Sequence, residues 1–225
     1  PASTAVPDEG YHLVGWYADE ECTDLLSTNA TFTPAKNGTV WEAATYYAKF
    51  EINTYKITFQ NEDGTELQSG MMEYGAMPVY NGATPTKAPA ENDPYTYRFA
   101  GWTPEIQVVT GEAVYQATYD ALFDFKGTID HGTISYDGVS VSNVLVRNDA
   151  VKGSDVGRQM TFKPEAGYQI KKVSINGVGQ TVTLESDGSY IHTFEQGMRA
   201  EEKLIEVETE QIEVVINIQF TDGTN

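Results

Sequence analysis

Residues 97–102, Tyr97-Arg98-Phe99-Ala100-Gly101-Trp102 (YRFAGW), gather two aromatics and a tryptophan around a glycine in a 225-residue chain with only three tryptophans. Either the rings lie exposed on a sheet, where they could stack on a ligand, or they form the core of a small domain. Strict strand alternation puts Tyr97 and Phe99 on one face, and Arg98, Ala100 and Trp102 on the other. Trp102 would then share a face with an arginine. Burying both Phe99 and Trp102 requires the register to slip between them, and Gly101 is the residue that permits such a bulge or bend.

A second copy favours the core reading. Residues 10–17 read GYHLVGWY, so Leu13, Gly15 and Trp16 repeat the relation of Phe99, Gly101 and Trp102. Each copy is followed by a closing strand of the form Tyr-x-Ala-x-aromatic, within TYYAKF at 45–50 and AVYQATY at 113–119. The first copy carries a longer excursion, residues 19–44. A module of ~50 to 70 residues must bury most of its large side chains to be stable. The expectation is a break in strand geometry at both glycines, with Trp16 and Trp102 packed inward.

Strand signals dominate the rest of the chain. In YKITFQ, Tyr55, Ile57 and Phe59 alternate with Lys56, Thr58 and Gln60, a half-buried strand. The turn Asn61-Glu62-Asp63-Gly64 follows, then a second strand over 65–74. Prolines 78, 85, 89 and 94 make residues 76–94 an ordered loop rather than a helix. Beyond residue 122, HGTISYDG, GRQMTFKPEAGYQIKKVSINGV, GSYIHTFE and IEVVINIQF (212–220) read as a β-rich unit, with a weak helix candidate over 196–206. The predicted class is mainly β, α+β at most, in three parts: 1–52 a partial module, 53–122 a complete one, and 123–225 a β-rich domain.

There are 33 acidic residues against 14 basic, a net charge of −19. That charge repels phosphate backbones and anionic lipid, which argues against nucleic-acid and membrane-surface binding. Six of the glutamates crowd into EEKLIEVETEQIE at 201–213, which reads as a solvated edge or face. The single cysteine, Cys22, allows no intrachain disulfide. No apolar run is long enough to span a membrane. Both ends read as cut, which marks the chain as a segment of a longer protein.

The quoted motifs resemble the internalin-type B repeats, or Listeria-Bacteroides repeats, of bacterial surface proteins. Residues 54–120 follow that family's order of segments: TYKITFQNEDGTELQSG, EYGAMPVYNGATPTKA, YTYRFAGWTPEI and AVYQATY. Residues 1–51 resemble the second half of such a repeat. Residues 126–221 are similar, more weakly, to divergent bacterial repeat domains, with VSING where the Gly-Trp element would stand. The resemblance implies tandem β-grasp-like modules on exported proteins of mainly Gram-positive bacteria. It also implies extracellular display at the cell surface or cell wall, a role in adhesion, and no catalytic residues; the residues themselves lead to the expectation of no metal or cofactor. The partners it implies are a host or cell-wall protein or glycan; the truncated first module, read by itself, offers a sheet edge for weak self-association.

Read residue by residue, the chain offers no competing chemistry. His12, His131 and His192 are scattered, without the spacing of a zinc site. NEDGTE lacks the spaced oxygen ligands of a calcium loop and closes a hairpin without an ion. NGVGQ at 176–180 opens no helix and cannot cradle phosphate. Lys49, in YYAKF, raises the question of an internal Lys-Asn crosslink, but its counterpart in the second copy is Thr118, an outward-facing position. The rival to the scaffold reading is a carbohydrate-binding accessory module of a larger extracellular enzyme. Trp41, Tyr46, Tyr80 and Tyr95, together with Tyr47 and Tyr97, would form its exposed stacking strip.

Overall fold

The structure, a computed structural model, describes residues 2–214. Among them are seventeen strands and a single 3₁₀ turn, Ala200–Glu202, so the fold is mainly β. The chain forms two compact units. One holds the residues up to Pro85 together with Phe99–Thr118; the other holds Thr86–Arg98 and the residues from Tyr119 onward.

The first unit begins with β1 (Ser3–Thr4), β2 (Tyr11–Tyr17), β3 (Leu25–Ser27), β4 (Thr31–Phe32) and β5 (Tyr47–Ile52). β2 lies between β3 and β5, both antiparallel to it, and β1 pairs with β4. The β2–β5 register slips between Leu13 and Gly15. A second irregularity, in the pairing with β3, falls between Trp16 and Tyr17, and both of these residues are buried. The excursion over 19–44 completes this core: β4 brings Phe32 against Trp16, with ring centroids 5.7 Å apart, and the indole Nε1 donates to the Asn29 carbonyl at 3.1 Å.

The second half of this unit is built on β6 (Thr54–Gln60), β7 (Glu66–Glu73), β8 (Thr96–Thr103) and the start of β9 (Ala113–Ile129). The alternation in YKITFQ holds, with Ile57 and Phe59 buried. β6 and β7 form an antiparallel hairpin whose turn is closed by an Asn61 N–H donating to the Thr65 carbonyl. β6 runs parallel to β9 and β8 also pairs with β9, giving the order β7–β6–β9–β8. This is β-grasp-like, with coil over 74–95 in place of a crossing helix. The two halves are tied at one knot. Asn53 N–H donates to the Gly10 carbonyl, Tyr74 N–H to the Asn53 carbonyl, and the Tyr74 hydroxyl to Glu9 at 2.7 Å. Gly10 takes φ +82°, and a Cβ there would run into the Tyr74 ring.

The second unit takes the remainder of β9 with β10 (Gly132–Tyr136), β11 (Val139–Val141), β12 (Val144–Val151), β13 (Gln159–Pro164), β14 (Tyr168–Ile175), β15 (Val178–Gln180), β16 (Tyr190–Thr193) and β17 (Leu204–Gln211). One sheet is the antiparallel series β11–β10–β13–β16. The other runs β15–β14–β17–β9–β12, parallel only between β17 and β9. Inward residues two apart fill the space between the sheets: Phe123 and Phe125, Ile134 and Tyr136, Met160 and Phe162, Ile205 and Val207. The result is a sandwich with one continuous apolar core.

Two sequence expectations are revised here for one reason, although the glutamates do face solvent, Glu208 and Glu210 being exposed. The acidic stretch 201–213 is not simply a solvated edge, because β17 lies between β14 and β9 and buries Ile205 and Val207 completely. Its glutamates alternate with these aliphatics, so charge density masked an interior strand. The same alternation shrinks the helix read over 196–206 to the turn Ala200–Glu202. The strand read over 212–220 falls largely outside the described residues; 212–214 have no regular structure.

Candidate functional site

The motif that opens the question of function is packed. In β8, Phe99 and Trp102 lie on one side despite their odd separation, with ring centroids 5.3 Å apart. The break is at Gly101, whose φ of +135° is a conformation that side-chain-bearing residues rarely adopt. The Thr118 hydroxyl donates to its carbonyl at 3.0 Å and holds the bend. Trp102 meets Phe59 and Tyr80 edge-on, each at 4.9 Å. Both predicted breaks are therefore present, a bulge before Gly15 and a positive φ at Gly101. Trp16 is buried, and Trp102 is half-buried against the Ile57, Phe59 and Tyr115 core.

The four residues of the stacking strip do not act together. Tyr95 is 5% exposed in the core of the second unit, edge-on to Phe123. Its hydroxyl donates to Glu201 and accepts from the Ala200 N–H. Tyr80 belongs to the first unit, where it packs on Phe59 and Trp102 and its hydroxyl donates to the Ala83 carbonyl. Tyr46 is half-buried against Phe32, with centroids 5.1 Å apart. Small modules need these rings for their cores, which corrects the reading of Tyr80 and Tyr95 as exposed platforms. Trp41 alone of the four is exposed, and the Lys36 ammonium sits 5.1 Å from its ring centroid. Tyr97 is half-buried, and its hydroxyl donates to Asp93 at 2.6 Å.

One polar cluster was not signalled by sequence. In the second unit the Tyr136 hydroxyl donates to Asp155 at 2.6 Å, and Arg147 donates to the same carboxylate oxygen at 2.7 Å. Arg158 joins it through Asp155 and Asp137. Burial, reinforced by the Asp155 bond, pushes the Tyr136 phenol up to about 12. The Tyr136 bond, then Arg147, hold the Asp155 carboxyl below its usual range. Asp155 takes φ +59° two residues before Gly157, itself at positive φ. Beside Tyr136 and Arg147 lies a groove of about 340 Å³ walled by Val139, Val141, Val144 and Val146.

The three histidines are placed separately. His12 Nδ1 lies 2.9 Å from the Asn53 side-chain oxygen, and His131 stacks on Tyr168 and pairs with Glu165 at 3.2 Å. His192 is buried between Phe194 and the Glu202 carboxylate, 3.5 Å from Nε2. Burial pushes its pKa below the usual range, opposed by Glu202. Among the described residues no three His, Cys, Asp or Glu side chains are grouped to hold a metal ion. Lys49 pairs with Glu51 at 2.7 Å on β5, where both side chains are partly exposed. In the NEDGTE loop the Asp63 carboxylate accepts the Thr65 N–H and so closes the hairpin.

These features define a mainly β chain of two compact units, with polar clusters that pin loops. The comparisons with known proteins agree with that class. Residues 2–54, the segment of β1 to β5, match the family model described as the divergent InlB B-repeat domain. The resemblance read from GYHLVGWY and TYYAKF is thus shown over that segment. Two curated relatives come from Evansella cellulosilytica. One, named "Putative membrane protein", is 34% identical over 68 residues, 30% of this chain and 9% of the relative. The other, named "Putative Gly-rich membrane protein", is 28% identical over 94 residues, 42% of this chain and 9% of the relative. The chain thus spans about a tenth of the length of these relatives. Among the described residues no helix is long and apolar enough to cross a membrane.

Proposed function

We propose that this chain is a non-catalytic segment of a bacterial surface or secreted protein, serving as a tandem-module stalk and an adhesion surface outside the cell. The observation that carries this reading is the fate of the repeated Gly-Trp motif. In both copies the glycine breaks the strand so that the tryptophan enters a core, which is what a load-supporting module requires of its few large side chains. The match of residues 2–54 to a B-repeat model and the membrane-protein relatives support display at the cell surface. Its partners in this reading are host or cell-wall proteins or glycans. Retention of the intact chain on cell-wall or host-cell preparations, measured against a spacer of equal length, tests the adhesive half. Retention no greater than the spacer's leaves a stalk alone.

One observation favours a second reading, a carbohydrate-binding accessory module. Trp41 is exposed, and Lys36 lies over its ring. Titrating polysaccharides while following tryptophan emission separates the two. The stalk reading expects no saturable change; the accessory-module reading expects one that Trp41→Ala abolishes.

A further inference from the structure

We propose that Asn37-Gly38 is a self-modifying site, where the Asn37 side-chain amide is lost as ammonia through a succinimide, while the fold protects the other Asn-Gly pairs. The proposal is independent of both functional readings. The chain has three such pairs, Asn37-Gly38, Asn81-Gly82 and Asn176-Gly177. A glycine nitrogen, with no side chain beside it, can reach the Cγ of the preceding asparagine. The glycine N–H gives its proton to solvent base, and the nitrogen bonds to Cγ. The Cγ–Nδ2 bond breaks, and the departing nitrogen takes up a proton and leaves as ammonia. Water then opens the ring at either carbonyl, giving aspartate or isoaspartate. The sum is amide plus water to acid plus ammonia, with nothing oxidised or reduced.

The dipeptide is the same at all three sites, so the structure decides which reacts. Asn37 and Gly38 are both exposed, in a turn closed by the Asn37 N–H on the Val40 carbonyl and the Val40 N–H on the Asn37 carbonyl. Gly38 takes φ +63°, with open space where a Cβ would stand. Asn37 Nδ2 donates to the carboxylate of Glu42, which is itself exposed, so water competes for that bond. Asn176 is held at both ends of its amide. Its Nδ2 donates to the Ala200 and Glu201 carbonyls at 3.3 and 2.8 Å, and its Oδ1 accepts the Leu204 N–H at 3.0 Å. Its Cγ cannot swing onto the Gly177 nitrogen without breaking these bonds. At Asn81 the obstacle is Tyr80, whose hydroxyl oxygen would lie 2.3 Å from a Cβ on Gly82 and donates to the Ala83 carbonyl. Conversion at Asn37 puts a carboxylate where an amide had donated to Glu42, so repulsion replaces a bond in the turn that carries Trp41.

Peptide mapping by mass spectrometry of the whole folded chain, incubated in mildly alkaline buffer, is the test, with isoaspartate separated from aspartate by chromatography. Asn37 should convert first, to both products. Asn176 should lag by about a hundredfold, because three hydrogen bonds must open before it can react. Asn81 should also lag. In guanidinium chloride the three sites should convert at similar rates, since only the fold distinguishes them. Gly38→Ala should slow conversion at Asn37 severalfold or more, and circular dichroism checks that the variant is folded. Asn37→Gln, which would have to close a larger ring, should suppress it with the fold intact. Conversion of Asn81 or Asn176 as fast as Asn37 in the folded chain overturns the proposal, as does a ranking that persists in denaturant. So does aspartate without isoaspartate, which would mean direct hydrolysis, or a rate indifferent to Gly38→Ala.

Discussion

Phe59 of β6 meets the Trp102 indole of β8 edge-on, with ring centroids 4.9 Å apart. This contact joins two strands that are not neighbours in sequence, and it exists only because Gly101 turns Trp102 onto the side where Phe99 already lies. The pairwise geometry is that preferred by aromatic rings, worth about 1 kcal/mol beyond the area buried.

Gly101→Ala isolates the backbone part of that arrangement. No heavy atom lies within 4 Å of a Cβ built there, so the substitution introduces no clash, only an unfavourable φ. A loss of about 1–3 kcal/mol is expected in urea unfolding of the first unit. An unchanged midpoint would mean that the bend is not needed to bury the indole.

Gly10→Ala acts differently, since its side chain would meet the Tyr74 ring as well as the positive φ. The knot of Gly10, Asn53 and Tyr74 should loosen, with a loss larger than at Gly101 and faster amide exchange at Asn53 and Tyr74. Equal stability of the two alanine variants would argue against the knot.

His192 makes the second unit sensitive to mild acid. Burial depresses its folded pKa below the ordinary imidazole value of about 6.5, so the unfolded chain takes up the proton first as pH falls. Stability is therefore full above the unfolded value and falls as pH drops below about 6.5, by at most about 1.4 kcal/mol per pH unit. Denaturant unfolding at pH 7.5 and 5.5 should show this loss in the wild type and a smaller one in His192→Gln. Identical pH dependence would remove His192 from the account.

Tyr136→Phe removes the hydroxyl from the Asp155 carboxylate and leaves Arg147 in place. A bond to a charged acceptor is worth about 1.5–3 kcal/mol, and the exposed side of Arg147 and Asp155 places the expected loss near the lower figure. Thermal unfolding of the variant checks it, and no change would show the cluster to be incidental.

The fold was legible where one rule governed a stretch. Ile57 and Phe59 alternate with polar residues and are buried, and prolines 85, 89 and 94 lie in coil as expected. The Gly-Trp motif was legible because strict alternation failed in it, which pointed to Gly101. Charge defeated the reading of β17, where Glu206, Glu208 and Glu210 drew attention from the buried Ile205 and Val207. The site residues were least legible. A tyrosine's exposure depends on which distant strand covers it, so Tyr95, covered by Phe123, could not be told from the exposed Trp41 by composition. The Tyr136, Arg147 and Asp155 cluster brings together residues from three separate stretches, and no spacing announces it.

The most direct test of the account compares two tryptophans by one measurement, the free energy of unfolding. Trp102→Ala should cost about 3 kcal/mol, as truncation of a core aromatic does, while Trp41→Ala should stay within about 0.5 kcal/mol of the wild type. A Trp102→Ala variant as stable as the parent chain would contradict the claim that the repeated Gly-Trp motif is a core device, and would return it to the role of a binding surface.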